Sequence, residues 1–315
     1  MNNHPEIAAP HPPHILERFT PILDYFGDIA LDENIDCLIE NVCELVDRNP
    51  ISWGEKLDRN LVKEQLTERS LIGVFDSVMK LFCQSNNASV GVCKSLHNVR
   101  CYEEIERYYD APKYIYLHRD PRDVAASFKK AVVGEKHVYC IAKRWEDLQE
   151  KCLELQKQIP KDRFYNMSYE AIIKDPSFEL AKLFFFLKLK FDTKLLDFYH
   201  TKEAINASSV SSLWENLKMP VMKNNFGKYL NELIEEEILI VEKVTCNTML
   251  KLGYSLINDL ELLSDALTNS EITMFNKLNE VSKLKMRNNV PKTDSQARQY
   301  QLDVLKSIQE RMVRV

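Results

Sequence analysis

The segment KYIYLHRDPRDVAASFKKA, residues 113–131, constrains the fold of this chain more than any other stretch. Its first half is an alternating apolar run, which predicts a β-strand. Asp120 is a good helix N-cap, Pro121 is preset for the first helical position, and Asp123 adds negative charge to the first turn. The segment therefore predicts a strand that ends at Arg119 and a helix that begins directly after it.

This junction would place the Arg119 guanidinium at the carboxyl end of a strand, beside the unpaired amide donors of a helix N-terminus. Such a position suits an anion. Ser127 lies further along the same helix, where its hydroxyl would contribute if the anion lies along that face. From the residues alone, a well-capped junction with a solvated arginine is an equally good interpretation.

The order of predicted elements indicates the fold class. Residues 15–86 are predicted to be helical, because apolar side chains recur at spacings of three and four. Three short β-prone runs, at 88–95, 113–119 and 163–170, then alternate with helical segments, and a long helix is predicted over 230–254. The alternation is typical of an α/β fold with a parallel sheet flanked by helices, in which ligands bind beyond the carboxyl ends of the strands.

The last part of the chain predicts two amphipathic helices, over residues 258–288 and 293–315. Their apolar stripes are Phe275, Leu278, Val281 and Leu284 in the first, and Leu302, Leu305, Ile308 and Met312 in the second. We therefore predict one α/β domain over residues 1–256 and a C-terminal helical extension over 257–315. Packing of these helices on their own domain is the simpler interpretation, and a self-associating hairpin that forms a homo-oligomer is the alternative.

Composition and charge limit the classes of partner. The net charge of −5 argues against a general affinity for nucleic acid or for anionic membranes. No apolar run reaches the roughly 18 residues of a membrane helix, and the N-terminus lacks signal-peptide architecture, so we expect a cytoplasmic protein. The eight cysteines form neither a C-x-x-C pair nor a Cys/His cluster at metal-ligand spacing. We therefore predict reduced thiols and no metal site.

Four segments, in order, resemble sulfotransferases that use phosphoadenosyl phosphosulfate (PAPS). The resemblance covers roughly residues 1–256, although Leu96 stands where the family usually has proline. The segments are MNNHPEIAAPHPPHILERF at 1–19, VCKSLHNVRCYEEIERYYDAPKYIYLHRDPRDVAAS at 92–127, RFYNMSYEAIIKDP at 163–176 and LWENLKMPVMKNNFGKYLNEL at 213–233. The resemblance implies a P-loop-like fold and transfer of a sulfuryl group from PAPS to a hydroxyl or amine of a small-molecule, glycan or peptide acceptor.

The resemblance also assigns expected roles to individual residues that would bind the cofactor. Arg119 and Ser127 would bind the 3′-phosphate of PAPS. Tyr169 would lie near the adenine. Gly227 and Lys228 would belong to a loop that closes over the cofactor, and no metal would take part.

Sulfuryl transfer needs a base near the acceptor hydroxyl and cations near the leaving phosphate. The resemblance implies that Lys94 stabilises charge in the transition state. For the base, His97 precedes Arg119 by a spacing similar to that in cytosolic sulfotransferases. His11 falls where protein-tyrosine-type sulfotransferases carry an acidic base, and His14 is its neighbour. A histidine suits this task because its ordinary pKa lies near neutrality.

One expected element of the family is not found in residues 1–315. None of the seven glycines lies in a Gly-rich loop that could hold the 5′-phosphosulfate. Since residues 1–19 resemble the family sequence just downstream of that loop, we expect the first strand and the loop to be missing and activity to be impaired. A misplaced start codon, a truncated gene or a divergent non-catalytic protein would each explain this.

Two other functions were considered from the sequence. A non-catalytic sulfotransferase-like remnant that binds a partner through its C-terminal helices is the main alternative. A nucleotide kinase is disfavoured, because no Gly-Lys-Ser/Thr sequence occurs.

Overall fold

The computed structural model describes residues 1–289 and 292–312. The chain divides into two compact units, which are described separately. Unit 1 comprises Met1–Pro112, Asp197–Lys218 and the described residues of Pro291–Val315, and unit 2 comprises Lys113–Leu196 and the described residues of Met219–Val290.

The described part of the chain contains four β-strands and fifteen α-helices. The strands are β1 (Ile7–Ala8), β2 (Val90–Gly91), β3 (Tyr114–His118) and β4 (Phe164–Ser168). The helices are α1 (Ile15–Phe19), α2 (Asp32–Asp47), α3 (Arg59–Glu64), α4 (Leu71–Ser85), α5 (Tyr102–Tyr108), α6 (Pro121–Lys130), α7 (Val138–Gln158), α8 (Tyr169–Lys174), α9 (Pro176–Leu187), α10 (Lys202–Val210), α11 (Tyr229–Glu232), α12 (Glu235–Lys251), α13 (Leu260–Ser264), α14 (Asn269–Asn289) and α15 (Lys292–Met312). Four 3₁₀ helices cover Thr20–Phe26, Leu96–Cys101, Thr193–His200 and Ser212–Lys218. Of the described helices, none is both long enough and apolar enough to cross a membrane.

The predicted α/β class is confirmed, but the strands form two small parallel sheets rather than one. In unit 1, β1 pairs with β2, and in unit 2, β3 pairs with β4 in register from Tyr114 opposite Phe164 to His118 opposite Ser168. Each of the three predicted runs contains a strand, although β2 covers only two residues of the run at 88–95. The strand β1 was not predicted, because two residues carry no periodic signal.

The core of unit 1 is formed by helices whose apolar positions repeat with helical spacing. Helix α2 buries one face, and α4, which begins after the N-cap Ser70, buries most of its length. The fully buried side chains of this core include Phe19, Leu16, Ile35, Leu38, Ile39, Val42, Leu45 and Ile72. These residues confirm the predicted helical character of residues 15–86.

In unit 2, helices α6, α7 and α12 pack around small residues. Ala125 and Ala126 of α6 and Ala142 of α7 are buried, and α12 covers them with Val241. Small side chains allow helix backbones to approach closely, which fixes α6 firmly against its neighbours. The predicted start of α6 is confirmed, because the Asp120 side chain accepts a hydrogen bond from the Arg122 amide.

A buried ionic network joins α6 to α12. The Arg122 side chain is 4% exposed, and each of its three nitrogens donates to a carboxylate: Nε and Nη2 to Asp120, at 3.0 and 2.6 Å, and Nη1 to Glu242, at 2.6 Å. Glu242 is fully buried and also accepts hydrogen bonds from the backbone amides of Ile257 and Asn258, both at 2.9 Å. Every charge in this network therefore has a partner.

The C-terminal helices are divided between the two units. Phe275 of α14 packs in the core of unit 2, whereas Val304 and Ile308 of α15 pack in the core of unit 1. In the predicted stripe of α14 only Phe275 is buried, and Leu278, Val281 and Leu284 are exposed. The predicted domain boundary at residue 256 and the predicted self-association of these helices stay predictions.

Replacing Arg122 should destabilise unit 2 strongly. We expect Arg122→Met to lower the free energy of unfolding by about 3–5 kcal/mol, because it leaves two buried carboxylates without their cation. Urea denaturation followed by circular dichroism measures this.

Lys129→Met is the matched control for that substitution. Lys129 pairs with Glu237 across the same two helices, but both side chains are partly exposed, at 30% and 23%. We expect this variant to lose no more than about 1 kcal/mol. Equal losses in the two variants would contradict the proposed importance of the buried network.

Candidate functional site

Arg119 lies where the sequence predicts it, directly after β3 and before α6. Its side chain is 21% exposed, and its guanidinium lies 4.5 Å from the centre of the Tyr169 ring. Its Nη2 donates to the backbone carbonyl of Asn225 at 2.9 Å and lies 3.8 Å from Asp123 Oδ2. Its Nε is buried and has no hydrogen-bond partner among the described residues. Within residues 1–289 and 292–312, the Nε donor of this cation therefore lacks a partner at the end of the strand.

The ends of β3 and β4 are tied together by Glu170. Its carboxylate accepts from the Asp120 amide at 2.9 Å and from the Tyr254 hydroxyl at 3.1 Å. That hydroxyl lies 2.7 Å from Nδ1 of His118, the last residue of β3. Burial and the neighbouring Glu170 raise the pKa of Tyr254, so its hydroxyl stays protonated and can donate. These bonds fix the position of Arg119 relative to Tyr169, the first residue of α8.

Residues 225–229, here called the closing loop, are held by Asp123 of α6. The Asp123 side chain is fully buried and accepts from the backbone amides of Gly227, at 2.7 Å, and Tyr229, at 3.1 Å. Gly227 has a φ of +67°, a conformation that favours glycine, and open space surrounds the position of its missing Cβ. The backbone conformation, and not crowding, therefore favours glycine here.

The remaining cofactor candidates are exposed residues of the same unit. Ser127 lies four residues after Asp123 on α6, which places the two side chains on one face of the helix, and it is exposed. Lys228 is exposed and precedes α11. All five residues predicted to bind the cofactor therefore belong to unit 2, and Arg119, Tyr169 and Gly227 are connected through Asp123 and Asn225.

The four residues predicted to take part in catalysis, His11, His14, Lys94 and His97, belong to unit 1. His11 follows β1, and its Nδ1 lies 3.1 Å from the Asn49 carboxamide oxygen. Its backbone carbonyl accepts from Asn49 Nδ2 and Trp53 Nε1, both at 2.8 Å, and its ring packs edge-on against Trp214. Burial lowers the pKa of His11 to about 4, although the hydrogen bond that its ring donates to the Asn49 oxygen opposes this shift. His11 is therefore neutral at physiological pH.

His97 and His14 both lie next to Glu17. The His97 side chain is 14% exposed, and its Nδ1 lies 2.8 Å from Glu17 Oε1. His14 Nδ1 lies 3.3 Å from Glu17 Oε2. Because a carboxylate accepts but does not donate, the proton of a neutral His97 lies on Nδ1, and Nε2 carries the lone pair.

Lys94 follows β2 at the carboxyl end of the strand. By surface area the residue is exposed, yet protein atoms crowd around its ammonium group. This crowding lowers the pKa of Lys94, and the negative charge of Glu203 opposes the shift. No group of three or more His, Cys, Asp or Glu side chains suited to a metal ion occurs within residues 1–289 and 292–312.

Sequence reasoning missed the residues that hold the site together. Glu170 and Asn225 lie in two of the segments that resemble the family, but no role was predicted for them or for Tyr254, because their partners are remote in the chain. Asp123 was recognised only as a favourable charge in the first helical turn. Only Asn225 could have been suspected from the sequence, because it lies two residues before Gly227, the glycine of the predicted loop.

Comparisons with known proteins agree with this architecture. Residues 1–193 match the model of a family described as the sulfotransferase family. The solved sulfotransferase domain from the Synechococcus PCC 7002 olefin synthase is 18% identical, with a TM-score of 0.53 over 80% of this chain and 87% of that chain. A sulfotransferase domain from the curacin biosynthetic pathway is also 18% identical, with a TM-score of 0.49 over 79% of this chain and 97% of that chain. The likeness to the olefin synthase domain shows a shared fold.

An uncharacterized protein of Aquifex aeolicus (strain VF5) is 23% identical over 219 residues, which are 66% of this chain. The aligned region spans only 28% of that longer protein. The family match, in contrast, covers more than half of this chain. The chain therefore belongs to the sulfotransferase family.

Proposed function

We propose that this chain binds PAPS through unit 2 and is built for transfer of its sulfuryl group to a hydroxyl or amine acceptor. The observation that carries the proposal is the Arg119 guanidinium, whose buried Nε has no hydrogen-bond partner among the described residues. A buried donor on a cation is costly when it is left unpaired. A phosphate oxygen would supply both the missing acceptor and the missing negative charge.

Neighbouring residues support the same ligand. Ser127 would add a hydroxyl and Lys228 a positive charge to the site of the 3′-phosphate. Tyr169 is partly buried, and we propose that adenine packs against the part of the ring that Arg119 does not cover. Gly227 would let the closing loop approach the nucleotide.

The donor supplies a sulfuryl group whose transfer forms a bond from the acceptor oxygen to sulfur and breaks the bond from sulfur to the phosphate oxygen. Adenosine 3′,5′-bisphosphate leaves, and the acceptor proton passes to a base. We propose His97 as that base, since Glu17 fixes its tautomer with the lone pair on Nε2. Lys94 would stabilise the charge that develops on the leaving oxygen.

His11 is a weaker candidate for the base. With a pKa of about 4 it is neutral but only weakly basic. Its ring and carbonyl are engaged by Asn49, Trp53 and Trp214, which is typical of a structural histidine.

The eight cysteines are free thiols, which supports a reducing compartment and a cytoplasmic location as part of this proposal.

Residues 1–315 should bind adenosine 3′,5′-bisphosphate, and Arg119→Ala should weaken that binding by about 10- to 100-fold, the usual range for a charged hydrogen bond. Isothermal titration calorimetry measures both affinities. Binding is measured rather than turnover, because residues 1–315 contain no Gly-rich phosphosulfate loop and we expect turnover to be impaired.

Arg48→Ala is the control, since Arg48 is a surface arginine of unit 1 paired with Glu44 at 2.7 Å. It should bind the nucleotide as the unmodified chain does. A folded chain that does not bind would instead favour the non-catalytic, partner-binding alternative.

The buried state of His11 predicts a pH dependence of stability. Its pKa is about 4 when folded and about 6.5 when unfolded, so the unfolded chain binds more protons between these values. Stability should therefore fall as the pH falls from 6.5 to 4, with His11 contributing about 2–3 kcal/mol. His11→Gln, which does not titrate, should flatten the curve by that amount in urea denaturation, and parallel curves would contradict the assignment.

A further inference from the structure

Asn225 contacts both groups that are proposed to bind the nucleotide. Its backbone carbonyl accepts from Arg119 Nη2 at 2.9 Å, and its side-chain amide donates to the Tyr169 hydroxyl at 2.7 Å. Arg119 and Tyr169 also stack on each other at 4.5 Å. The three residues therefore form a closed set of contacts, although they come from the end of β3, the start of α8 and the closing loop.

We propose that Asn225 is a positioning residue that preorganises Arg119 and Tyr169 for the 3′-phosphate and the adenine of the nucleotide. This inference rests on the proposed function. Asn225 acts through its two neighbours: its carbonyl limits rotation of the guanidinium, and its amide limits rotation of the ring.

Preorganisation matters here because arginine has many rotamers. An unrestrained arginine side chain loses rotamer entropy when it is fixed by a ligand. In this site the restraint is present before any ligand arrives, so binding carries less of that cost. The bond to Asn225 uses Nη2, whereas Nε, the nitrogen without a partner among the described residues, is the donor that we propose for the anion.

The position of Asn225 is itself set by α6. Asp123 holds the amides of Gly227 and Tyr229, and the Tyr229 ring lies 4.3 Å from the Arg122 guanidinium. The helix that begins directly after Arg119 thus also holds the loop that restrains Arg119. A loop anchored in this way can keep the Asn225 carbonyl at a fixed distance from the arginine.

The test is a double-mutant cycle of Asn225→Ala and Tyr169→Phe. Calorimetry would measure the affinity of each variant for adenosine 3′,5′-bisphosphate and for adenosine 5′-monophosphate, which lacks the 3′-phosphate. Each single variant should bind the bisphosphate about 5- to 10-fold more weakly, as expected for one lost hydrogen bond. The double variant should bind the bisphosphate about as weakly as either single variant, because both substitutions remove the same hydrogen bond.

The preference for the bisphosphate over the monophosphate should fall in all three variants, since the 3′-phosphate is what Arg119 is positioned to bind. Asn224→Ala is the matched control: Asn224 is the exposed neighbour of Asn225 and should leave both affinities unchanged. Thermal unfolding of each variant shows that it is folded.

The outcomes separate this inference from the proposed function. If the unmodified chain binds neither nucleotide, or binds both equally, the PAPS proposal is overturned and the role of Asn225 with it. If the unmodified chain prefers the bisphosphate and Arg119→Ala removes the preference, the PAPS proposal is supported. In that case, additive losses, or an unchanged preference in the Asn225 and Tyr169 variants, would overturn only the positioning role.

Discussion

The structure of unit 2 depends on one buried arginine, Arg122, which neutralises the carboxylates of Asp120 and Glu242. Asp120 is also the N-cap of α6, so the same contact fixes where that helix begins. Because Arg119 immediately precedes Asp120, the position of its guanidinium follows from the start of the helix. A buried charge pair is costly to desolvate, and it is tolerated here because every member has partners.

Two aspartates at the start of α6, the N-cap Asp120 and Asp123 in the first turn, have different roles. Asp120 faces the buried network and caps the helix, whereas Asp123 turns its carboxylate to the amides of Gly227 and Tyr229. An anion that accepts two backbone amides forms charge-assisted hydrogen bonds, which are stronger than neutral ones. Through these two residues, one turn of helix determines both the position of Arg119 and the position of the loop beside it.

The sequence predicted what is local and missed what is distant. The strand end at Arg119 and the helix start at Pro121 were predictable, because capping and proline preferences act between adjacent residues. The bonds of Asp123 to Gly227 and of Arg122 to Glu242 join residues 104 and 120 positions apart, and no periodicity encodes them. Likewise, the stripe of α14 predicted buried positions of which only Phe275 is buried, because a helical pattern does not specify how much of its face is covered.

The two arginines of the Arg-Asp-Pro-Arg-Asp motif differ in how completely their charges are paired. Arg122 is 4% exposed, each of its nitrogens donates to a carboxylate, and Tyr229 covers its guanidinium. Arg119 is similarly stacked on Tyr169, yet its one short hydrogen bond goes to a neutral carbonyl, and its nearest carboxylate in the described chain lies 3.8 Å away. The folded chain thus neutralises Arg122 fully and Arg119 only in part. Departures of this kind from complete pairing are typical of functional positions. In the proposed function, the 3′-phosphate supplies the negative charge that Arg119 lacks among the described residues.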